Sequence, residues 1–485
     1  MRGGRPGTPA TSLTHERGSM KDLERKTSDE LIRDAQLLAR SYHYVSYSSQ
    51  LYAPTDYETD DDSATPPIER RYWKALSTED LEEKAGGIFF TAFIDRQIYN
   101  FASVARQSCL YKIKTPASRL LIKTSQGLRV LQEDGKLHEP DGKFVPNMLG
   151  PMLNEDPDDK ARVMGVITEW LGDDEELALS LLHHLATALA PHWSAGKYIL
   201  LIGEGRNGKS VLTFMLQDLF GLLNCSGVTR QLMASRDSSV TALNGKLLNL
   251  VFDGANEFVK DSSTEKTLIT GEPITIRRAY DPEGTVVQTN ALFIEALNKE
   301  PKTSDKSAAL QARLVRFKFP NRYADNEEFA AEMRSPRMLG ALLSLLLDNY
   351  VLPEQKAVML APTSAARQLA QDYMLANSLP LQYLLHLAET CPVTLEEELV
   401  GEQFSTLASQ FQRWRKDQGD ILPWDEQRLY EDFAPLLEME KQKAWVTGKP
   451  VQMRVWHITG FRQDTLDLLA SHKEEEDVST PMVED

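Results

Sequence analysis

Apolar and polar residues follow different periods in different parts of the chain. From Arg119 to Val145 they alternate around Gln-Gly and Asp-Gly dipeptides, which is typical of short antiparallel strands joined by tight turns. The segments Asp158–Leu171 and Asp173–Leu189 instead repeat apolar residues at helical spacing. The pattern therefore predicts a small strand region followed by two helices.

The period changes again after Gly196. Tyr198–Ile202 is a continuous apolar run bounded by glycine, as expected for a strand that is buried on both faces. Helices and short strands then alternate to about Arg322, and a mainly helical stretch runs to about Tyr373. This order predicts an α/β core with a parallel sheet.

A different pattern occupies the segment from Leu379 to Gly460. Amphipathic helices are predicted at Gln403–Trp414 and Asp425–Leu437, and Ala444–Trp456 has the pattern of a hairpin. Two helices followed by a hairpin predict a winged-helix-like domain. Its basic residues would either contact a DNA backbone or belong to a protein-docking domain. They are Arg413, Arg415, Lys416, Lys449 and Arg454.

These patterns divide the 485 residues into seven regions. They are a flexible or partly folded lead-in (1–66), a small α+β region (67–150), a helical subdomain (151–195), the α/β core (196–325), a helical lid or linker (326–378), the winged-helix-like domain (379–462) and an acidic tail (463–485).

Composition limits the class of protein. The apolar fraction is 41% and no apolar run approaches the roughly 20 residues of a membrane span, so we expect a soluble protein without a membrane partner. Residues 1–20 lack the apolar core of a signal peptide, and the three cysteines form no CxxC pair, which favours the cytoplasm. The net charge is −17, much of it in acidic runs at 56–62 and after residue 473, so a basic nucleic-acid site elsewhere stays compatible with it.

The strand Tyr198–Ile202 leads into a glycine-rich sequence with the spacing GxxxxGK[ST], which precedes a predicted helix at Val211–Leu219. Its residues are Gly203, Glu204, Gly205, Arg206, Asn207, Gly208, Lys209 and Ser210. Backbone amides of such a loop cradle phosphates, Lys209 would reach the β and γ phosphates, and Ser210 would hold Mg²⁺. The sequence therefore predicts a site for ATP and Mg²⁺.

A second apolar strand, Lys246–Phe252, delivers Asp253 at its end. A carboxylate there would orient the magnesium ion and its waters.

Four segments, in order, resemble the superfamily 3 helicases, specifically the phage and plasmid primase-helicases related to the poxvirus primase-helicase. Gly203–Ser210 resembles their GxGxNGKS cradle, and Leu268–Arg278 resembles the segment that leads into their hairpin. Ala291–Asn298 is similar to their motif C strand, and Ala312–Asn321 to the segment that carries their arginine finger. The resemblance implies an AAA+-like P-loop core.

By this resemblance, Asn298 would sense the γ-phosphate or the attacking water. Arg313 would reach into the ATP site of the neighbouring subunit, with Arg316 as the alternative finger, because the paired arginines of the family are split here. A finger supplied in trans implies a homo-oligomeric ring, expected to be a hexamer.

The sequence also departs from the family pattern. Asp253 is not followed directly by a second acid, so Glu257 is either the water-activating base or a surface carboxylate. The hairpin tip lacks the usual lysine, so the DNA-gripping residues would be Arg277, Arg278 or Lys299, unless the two arginines are only a solvated strand edge.

The predicted function is a ring-forming, ATP-dependent 3′–5′ DNA helicase for phage or plasmid replication. It would act on single-stranded and forked DNA, with other replication proteins as further partners, in the bacterial host cytoplasm if phage-encoded. Two alternatives stay open: a bifunctional primase-helicase, and a regulatory P-loop ATPase whose winged helix binds an operator.

Overall fold

The structure is a computed structural model. It describes residues 33, 36, 43–45, 50–56, 71–75, 111–113, 119–141, 145–254, 262–277, 284–299, 308–390, 393–417, 426–444, 453–463, 465–466 and 469. The chain divides into two compact units, one over Met1–Thr55 and Trp73–Ile113 and one over Asp56–Tyr72 and Lys114–Asp485. In the described part of the chain, no helix has both the length and the apolar character needed to cross a bilayer.

The strands are β1 (His43–Val45), β2 (Gln50–Asp56), β3 (Arg71–Ala75), β4 (Tyr111–Ile113), β5 (Leu120–Thr124), β6 (Gly127–Leu131), β7 (Leu137–His138), β8 (Met148–Met152), β9 (Tyr198–Ile202), β10 (Cys225–Ser226), β11 (Leu248–Val251), β12 (Ile274–Ile276), β13 (Thr285–Val287), β14 (Leu292–Leu297), β15 (Leu314–Lys318), β16 (Leu437–Ala444) and β17 (Met453–Phe461).

The helices are α1 (Pro157–Trp170), α2 (Glu175–Ala186), α3 (Lys209–Phe220), α4 (Arg230–Ala234), α5 (Ser263–Ile269), α6 (Ala308–Gln311), α7 (Glu327–Met333), α8 (Pro336–Asp348), α9 (Lys356–Met359), α10 (Ser364–Asn377), α11 (Leu379–Thr390), α12 (Leu395–Leu399), α13 (Phe404–Asp417) and α14 (Glu426–Phe433).

Two small sheets precede the core. One has the order β3-β2-β1-β4, so two of its strands lie in the segment 1–66, for which the sequence predicts a flexible or partly folded lead-in. The other has the order β7-β6-β5-β8, and its antiparallel pairs confirm the strands predicted between Arg119 and Val145. Gly127 adopts a φ of 104° at the turn between β5 and β6, a conformation that favours glycine.

The two helices predicted before the core are present, and each begins at an aspartate cap. The Asp156 carboxylate accepts backbone N–H bonds at the start of α1, and the Asp174 carboxylate accepts one from Leu177 at the start of α2. The second helix ends at Ala186 and continues as a 3-10 turn, so its predicted length is nearly right. Both helices pack against α8.

The core is a five-stranded parallel sheet with the order β10-β11-β14-β9-β15, which confirms the predicted α/β class. Helix α3 packs Leu212 and Leu216 on one face, and Tyr198 and Phe293 are buried on the other. Because both faces are covered, the strands are apolar throughout. The strand order sets the carboxyl ends of β11, β14 and β9 side by side.

The carboxyl-terminal helices and hairpin form a second core around Phe404, Phe411, Phe433 and Ile458. The predicted helix Asp425–Leu437 is wrong at its end, because α14 stops at Phe433 and β16 begins at Leu437. The residues of β16 are mostly good helix formers, but pairing with β17 overrides that preference.

Candidate nucleotide-binding site

The loop between β9 and α3 has a backbone that glycine makes possible. Gly208 has a φ of 93°, and a Cβ placed there would lie 2.5 Å from ring atoms of Trp170. A Cβ on Gly203 would lie 2.5 Å from the carbonyl oxygen of Phe319. Arg206 is also left-handed, with a φ of 65°. The loop is thus folded tightly against its surroundings, with its tip in solvent.

Two backbone hydrogen bonds fix the loop to its neighbours in the fold. The Gly203 N–H donates to the Leu297 carbonyl oxygen at 3.1 Å, and the Tyr323 N–H donates to the Arg206 carbonyl oxygen at 2.8 Å. The loop is therefore held by the end of β14 and by the segment that follows β15.

Lys209 and Asn207 are buried inside this loop. Lys209 Nζ donates to Asn207 Oδ1 at 2.9 Å and also to the Gly203 carbonyl oxygen. Asn207 Nδ2 donates to the Phe319 carbonyl oxygen at 3.3 Å. Burial lowers the pKa of Lys209, and the carboxylate of Asp253 partly counters this shift. Asn207 thus links the lysine to the end of β15.

Asp253 and Asn298 lie beside the loop. Both residues are exposed, and they follow the ends of β11 and β14. In register, Leu297 is level with Ile202, so Asn298 is level with Gly203. Ser210, in the first turn of α3, is exposed as well. The structure therefore brings the lysine, the serine, the carboxylate and the asparagine to one edge of the sheet.

A buried carboxylate lies next to Gly254, the residue that follows Asp253. Glu295 is 1% exposed and accepts a hydrogen bond from the Tyr198 hydroxyl at 3.3 Å. A Cβ on Gly254 would lie 2.3 Å from Glu295 Oε1 and 2.4 Å from Leu297 Cδ2. The residue after Asp253 therefore has no room for a side chain.

Arg313 lies at the opposite edge of the sheet, where the amino ends of the strands meet. It precedes β15 in a register where Leu314 is level with Tyr198, so Arg313 is level with Lys197. A parallel strand rises about 3.3 Å per residue, which puts its backbone roughly 20 Å from Gly203. Its Nη1 donates to the Ala309 carbonyl oxygen, and its buried Nε has no hydrogen-bond partner within the described ranges. Within one chain, Arg313 does not join the other predicted groups.

Two lysines accompany Arg313 at this edge. Lys197 Nζ donates to the Ala312 carbonyl oxygen at 2.8 Å, and Lys356 Nζ donates to the Ser194 carbonyl oxygen at 3.2 Å. Burial lowers the pKa of Lys197, and the charges of Lys356 and Arg313 lower it further. The edge is therefore a cationic cluster in which like charges repel each other.

Arg316, the alternative finger, is part of the core. It is 1% exposed, its guanidinium carbon lies 4.9 Å from the centroid of the Tyr373 ring, and its Nη2 donates to Gln311 Oε1 at 2.6 Å. This placement disfavours a role in a neighbouring subunit.

A cleft of about 760 Å³ opens next to the loop. Three aromatic residues line it: Trp170 from α1, Tyr323 from the segment between β15 and α7, and Phe329 from α7. Gly208 and Val211 line it as well. The Trp170 and Phe329 rings meet edge to face with centroids 6.4 Å apart. The aromatic residues are visible in the sequence, but nothing there shows that they meet.

The predicted DNA-gripping residues are only partly described. Arg277 is exposed after β12, in the antiparallel hairpin β12–β13, and Lys299 is exposed next to Asn298. The structure describes no contact that joins Arg277 to Lys299. Arg278 and the predicted base, Glu257, lie outside the described residues.

The loop fits a polyphosphate group. Gly203 and Gly208 allow a close backbone approach, Lys209 supplies a cation, and the N-terminal turn of α3 carries N–H groups that have no partner within the helix. The Ser210 hydroxyl and the Asp253 carboxylate are oxygen donors of the kind that Mg²⁺ prefers. The aromatic cleft beside the loop has room for a nucleobase.

A model of a family of unknown function, DUF5906, matches residues 201–313, a segment that contains the loop, Asp253, Asn298 and Arg313. No curated protein sequence matches the chain.

Among solved structures, the chain is similar to the A form apo structure of the NrS-1 C-terminal region, with 13% identity and a TM-score of 0.46, over 89% of this chain and 98% of that one. It is also similar to another apo structure of that region, with 14% identity and a TM-score of 0.42, over 90% and 100% of the two chains. At these scores the likeness assigns no activity.

Proposed function

We propose that this protein is an ATP-dependent DNA helicase of the AAA+ superfamily 3 type, which works as a ring with 3′–5′ polarity in phage or plasmid replication. One observation carries the proposal. Lys209, Asp253 and Asn298 gather at one edge of the parallel sheet, and Arg313 lies at the other. A triphosphate bound at the first edge would therefore lie beside no arginine finger of its own chain, and Arg313 of a neighbouring chain would complete the site.

Each residue has a distinct role in ATP hydrolysis. Lys209 would keep its hydrogen bond to Asn207 Oδ1 while it contacts the β and γ phosphates, and Asn298 would orient the attacking water. Ser210 and Asp253 would hold Mg²⁺, which neutralises phosphate charge when bound. The partner's arginine would stabilise the charge that develops on the γ-phosphate. Glu257 stays a proposed base, because it lies outside the described residues.

The aromatic cleft would hold the adenine base. It adjoins Gly208 and Val211, so a nucleotide whose phosphates lie in the loop would place its base against Trp170, Tyr323 or Phe329. Aromatic faces suit a planar base.

The β12–β13 hairpin would couple hydrolysis to movement of the DNA. It follows α5, and Arg277 and Lys299 supply exposed cations on the hairpin and beside the sensor asparagine. Movement of the β-strand ends around the nucleotide phosphates would shift these cations along a bound DNA strand.

The test is displacement of a strand from a forked duplex with ATP and Mg²⁺, together with ATPase rates measured with and without single-stranded DNA over a range of protein concentrations. We expect unwinding, stimulation by DNA and turnover per subunit that rises with concentration, all abolished by Lys209→Ala. Slow turnover without DNA stimulation or unwinding would instead indicate a regulatory ATPase.

A further inference from the structure

The β16–β17 hairpin separates its charges between two faces. Beyond a bulge at Glu438/Met439, the register pairs Met439 with Ile458, Lys441 with Trp456 and Lys443 with Arg454. Directly opposed residues of antiparallel strands share a face. One face therefore carries the buried Ile458 and, further along, three cations and a tryptophan. We call Lys441, Lys443, Arg454 and Trp456 the basic face.

The other face is different in character. It carries Glu440 opposite His457 and Gln442 opposite Val455. The hairpin is thus basic on one side and acidic to neutral on the other.

The cations of the basic face are available to a ligand. The side chains of Lys443 and Arg454 are exposed, and neither side chain has a hydrogen bond or an ion pair with any described residue. Other arginines of this acidic chain do form ion pairs, such as Arg334 with Asp218 at 2.7 Å and Arg337 with Asp159 at 2.6 Å. Cations left unpaired in a chain of net charge −17 are suited to bind an anion from outside.

The aromatic residue of this face is already engaged. Trp456 stacks on Tyr430 of α14 with ring centroids 4.4 Å apart, and Lys441 Nζ lies 4.8 Å from the Trp456 centroid. Because the ring has these two neighbours, it is poorly placed to stack on a base. Contacts from this face would therefore reach phosphates.

Helix α14, which precedes the hairpin, has the opposite character. Its Arg428 pairs with the half-buried Asp432 within the helix, and Glu431 adds an exposed carboxylate. In a winged helix the corresponding helix usually enters the major groove. Here its carboxylates would repel the phosphates on either side of the groove.

We propose that the basic face of the β16–β17 hairpin, and not helix α14, binds nucleic acid, through its phosphate backbone and without reading the base sequence. The proposal rests on the proposed function only in taking nucleic acid as the polyanion. Duplex and single-stranded DNA share the same anionic phosphate backbone, so they form the two arms of the test.

Fluorescence anisotropy tests the proposal on the full chain. The probes are a labelled duplex of about 20 base pairs and one of its single strands. Lys443→Gln and Gln442→Glu are a matched pair, since each lowers the net charge by one at adjacent positions on opposite faces. We expect Lys443→Gln to weaken binding about threefold to tenfold and to reduce the slope of log affinity against log salt by roughly 1, equally for unrelated sequences. Gln442→Glu should change affinity less than about twofold.

Thermal unfolding and basal ATPase activity should be unchanged in both variants. Equal effects of the two substitutions, or a loss that depends on base sequence, would overturn the proposal, as would a wild-type protein that binds neither arm at low salt. The larger loss in one arm identifies the strand form that the hairpin contacts. A protein that fails to hydrolyse ATP but shows the expected Lys443→Gln effect would refute the proposed function and leave this inference standing.

Discussion

Asn207 Oδ1 accepts a hydrogen bond from Lys209 Nζ at 2.9 Å, and both side chains are buried within the glycine-rich loop. The same asparagine donates to the Phe319 carbonyl oxygen at 3.3 Å. The amide therefore sets the direction of the ammonium group relative to the end of β15. An asparagine at this position in the sequence marks the resemblance to superfamily 3 helicases, and the structure gives it a physical task.

Substitution Asn207→Ala should weaken ATP binding. It removes a hydrogen bond to a charged group, an interaction of about 1.5–3 kcal/mol, which corresponds to roughly a tenfold to hundredfold loss of affinity. Calorimetric titration with a non-hydrolysable ATP analogue measures this. An unchanged affinity would mean that the Gly203 carbonyl oxygen positions Lys209 without help from Asn207.

Mixing two inactive variants should restore ATPase activity. Arg313→Ala keeps a sound loop and Lys209→Ala keeps a sound cationic edge, so a neighbouring pair of the two variants has one complete site. In a random equal mixture about a quarter of the interfaces are complete, and the expected rate is about a quarter of the wild-type rate. Steady-state turnover of the mixture measures this.

No recovery on mixing would contradict a finger supplied in trans by Arg313. Arg316→Ala serves as a comparison, because Arg316 is buried against Tyr373. It should lower thermal stability, and any activity that it loses should not be restored by mixing with Lys209→Ala.

Substitution Gly254→Ala should destabilise the protein and slow hydrolysis. The new methyl group would lie 2.3 Å from Glu295 Oε1, so the backbone that carries Asp253 must shift, at a cost of about 1–3 kcal/mol. Urea unfolding and ATPase rates measure both effects. Gly165→Ala is the matched control, because it lies in α1 with nothing within 4 Å of the new Cβ and should stabilise the helix by about 0.5–1 kcal/mol.

Stability should fall in mild acid because of His184. This side chain is completely buried, its Nδ1 donates to the Ser180 carbonyl oxygen at 2.7 Å, and burial lowers its pKa from 6.5 to about 4. Between these values the unfolded chain binds the proton and the folded chain does not, so the stability that is present above pH 6.5 is lost as the pH falls toward 4. The expected loss is about 3 kcal/mol.

Urea unfolding at several pH values tests this expectation. His184→Gln should flatten the curve over that window, whatever its effect on stability at neutral pH. A curve of the same steepness in the variant would assign the acid sensitivity to other groups, such as His183 and His192, whose pKa values burial also lowers.

The sequence predicts the parts of the fold that local patterns determine. Tyr198–Ile202 is found as β9 with the predicted bounds, and the helices at α1 and α2 lie within a few residues of their predicted ends. The period of apolar residues suffices there, because each element is buried on a face that the period marks. The strand β16 was not predictable in this way, since its helix-forming residues are held extended only by a partner strand.

In the candidate site, too, local patterns identify some residues, whereas other features depend on how distant segments pack. Lys209 and Asp253 are identifiable because motif spacing ties each to the end of a strand. The contact between Trp170 and Phe329 depends on how two distant segments pack, and so does the gathering of Lys197 and Lys356 around Arg313. Residues far apart in the chain carry no local signal of such meetings.

The placement of complementary groups at opposite ends of one sheet determines how copies of the proposed ring can join. A phosphate pocket on one end and a cation on the other make every junction head to tail, and such a chain of copies stops growing only when it closes on itself. A copy without Arg313 would therefore leave the site of one neighbour incomplete and every other junction of the ring unaffected.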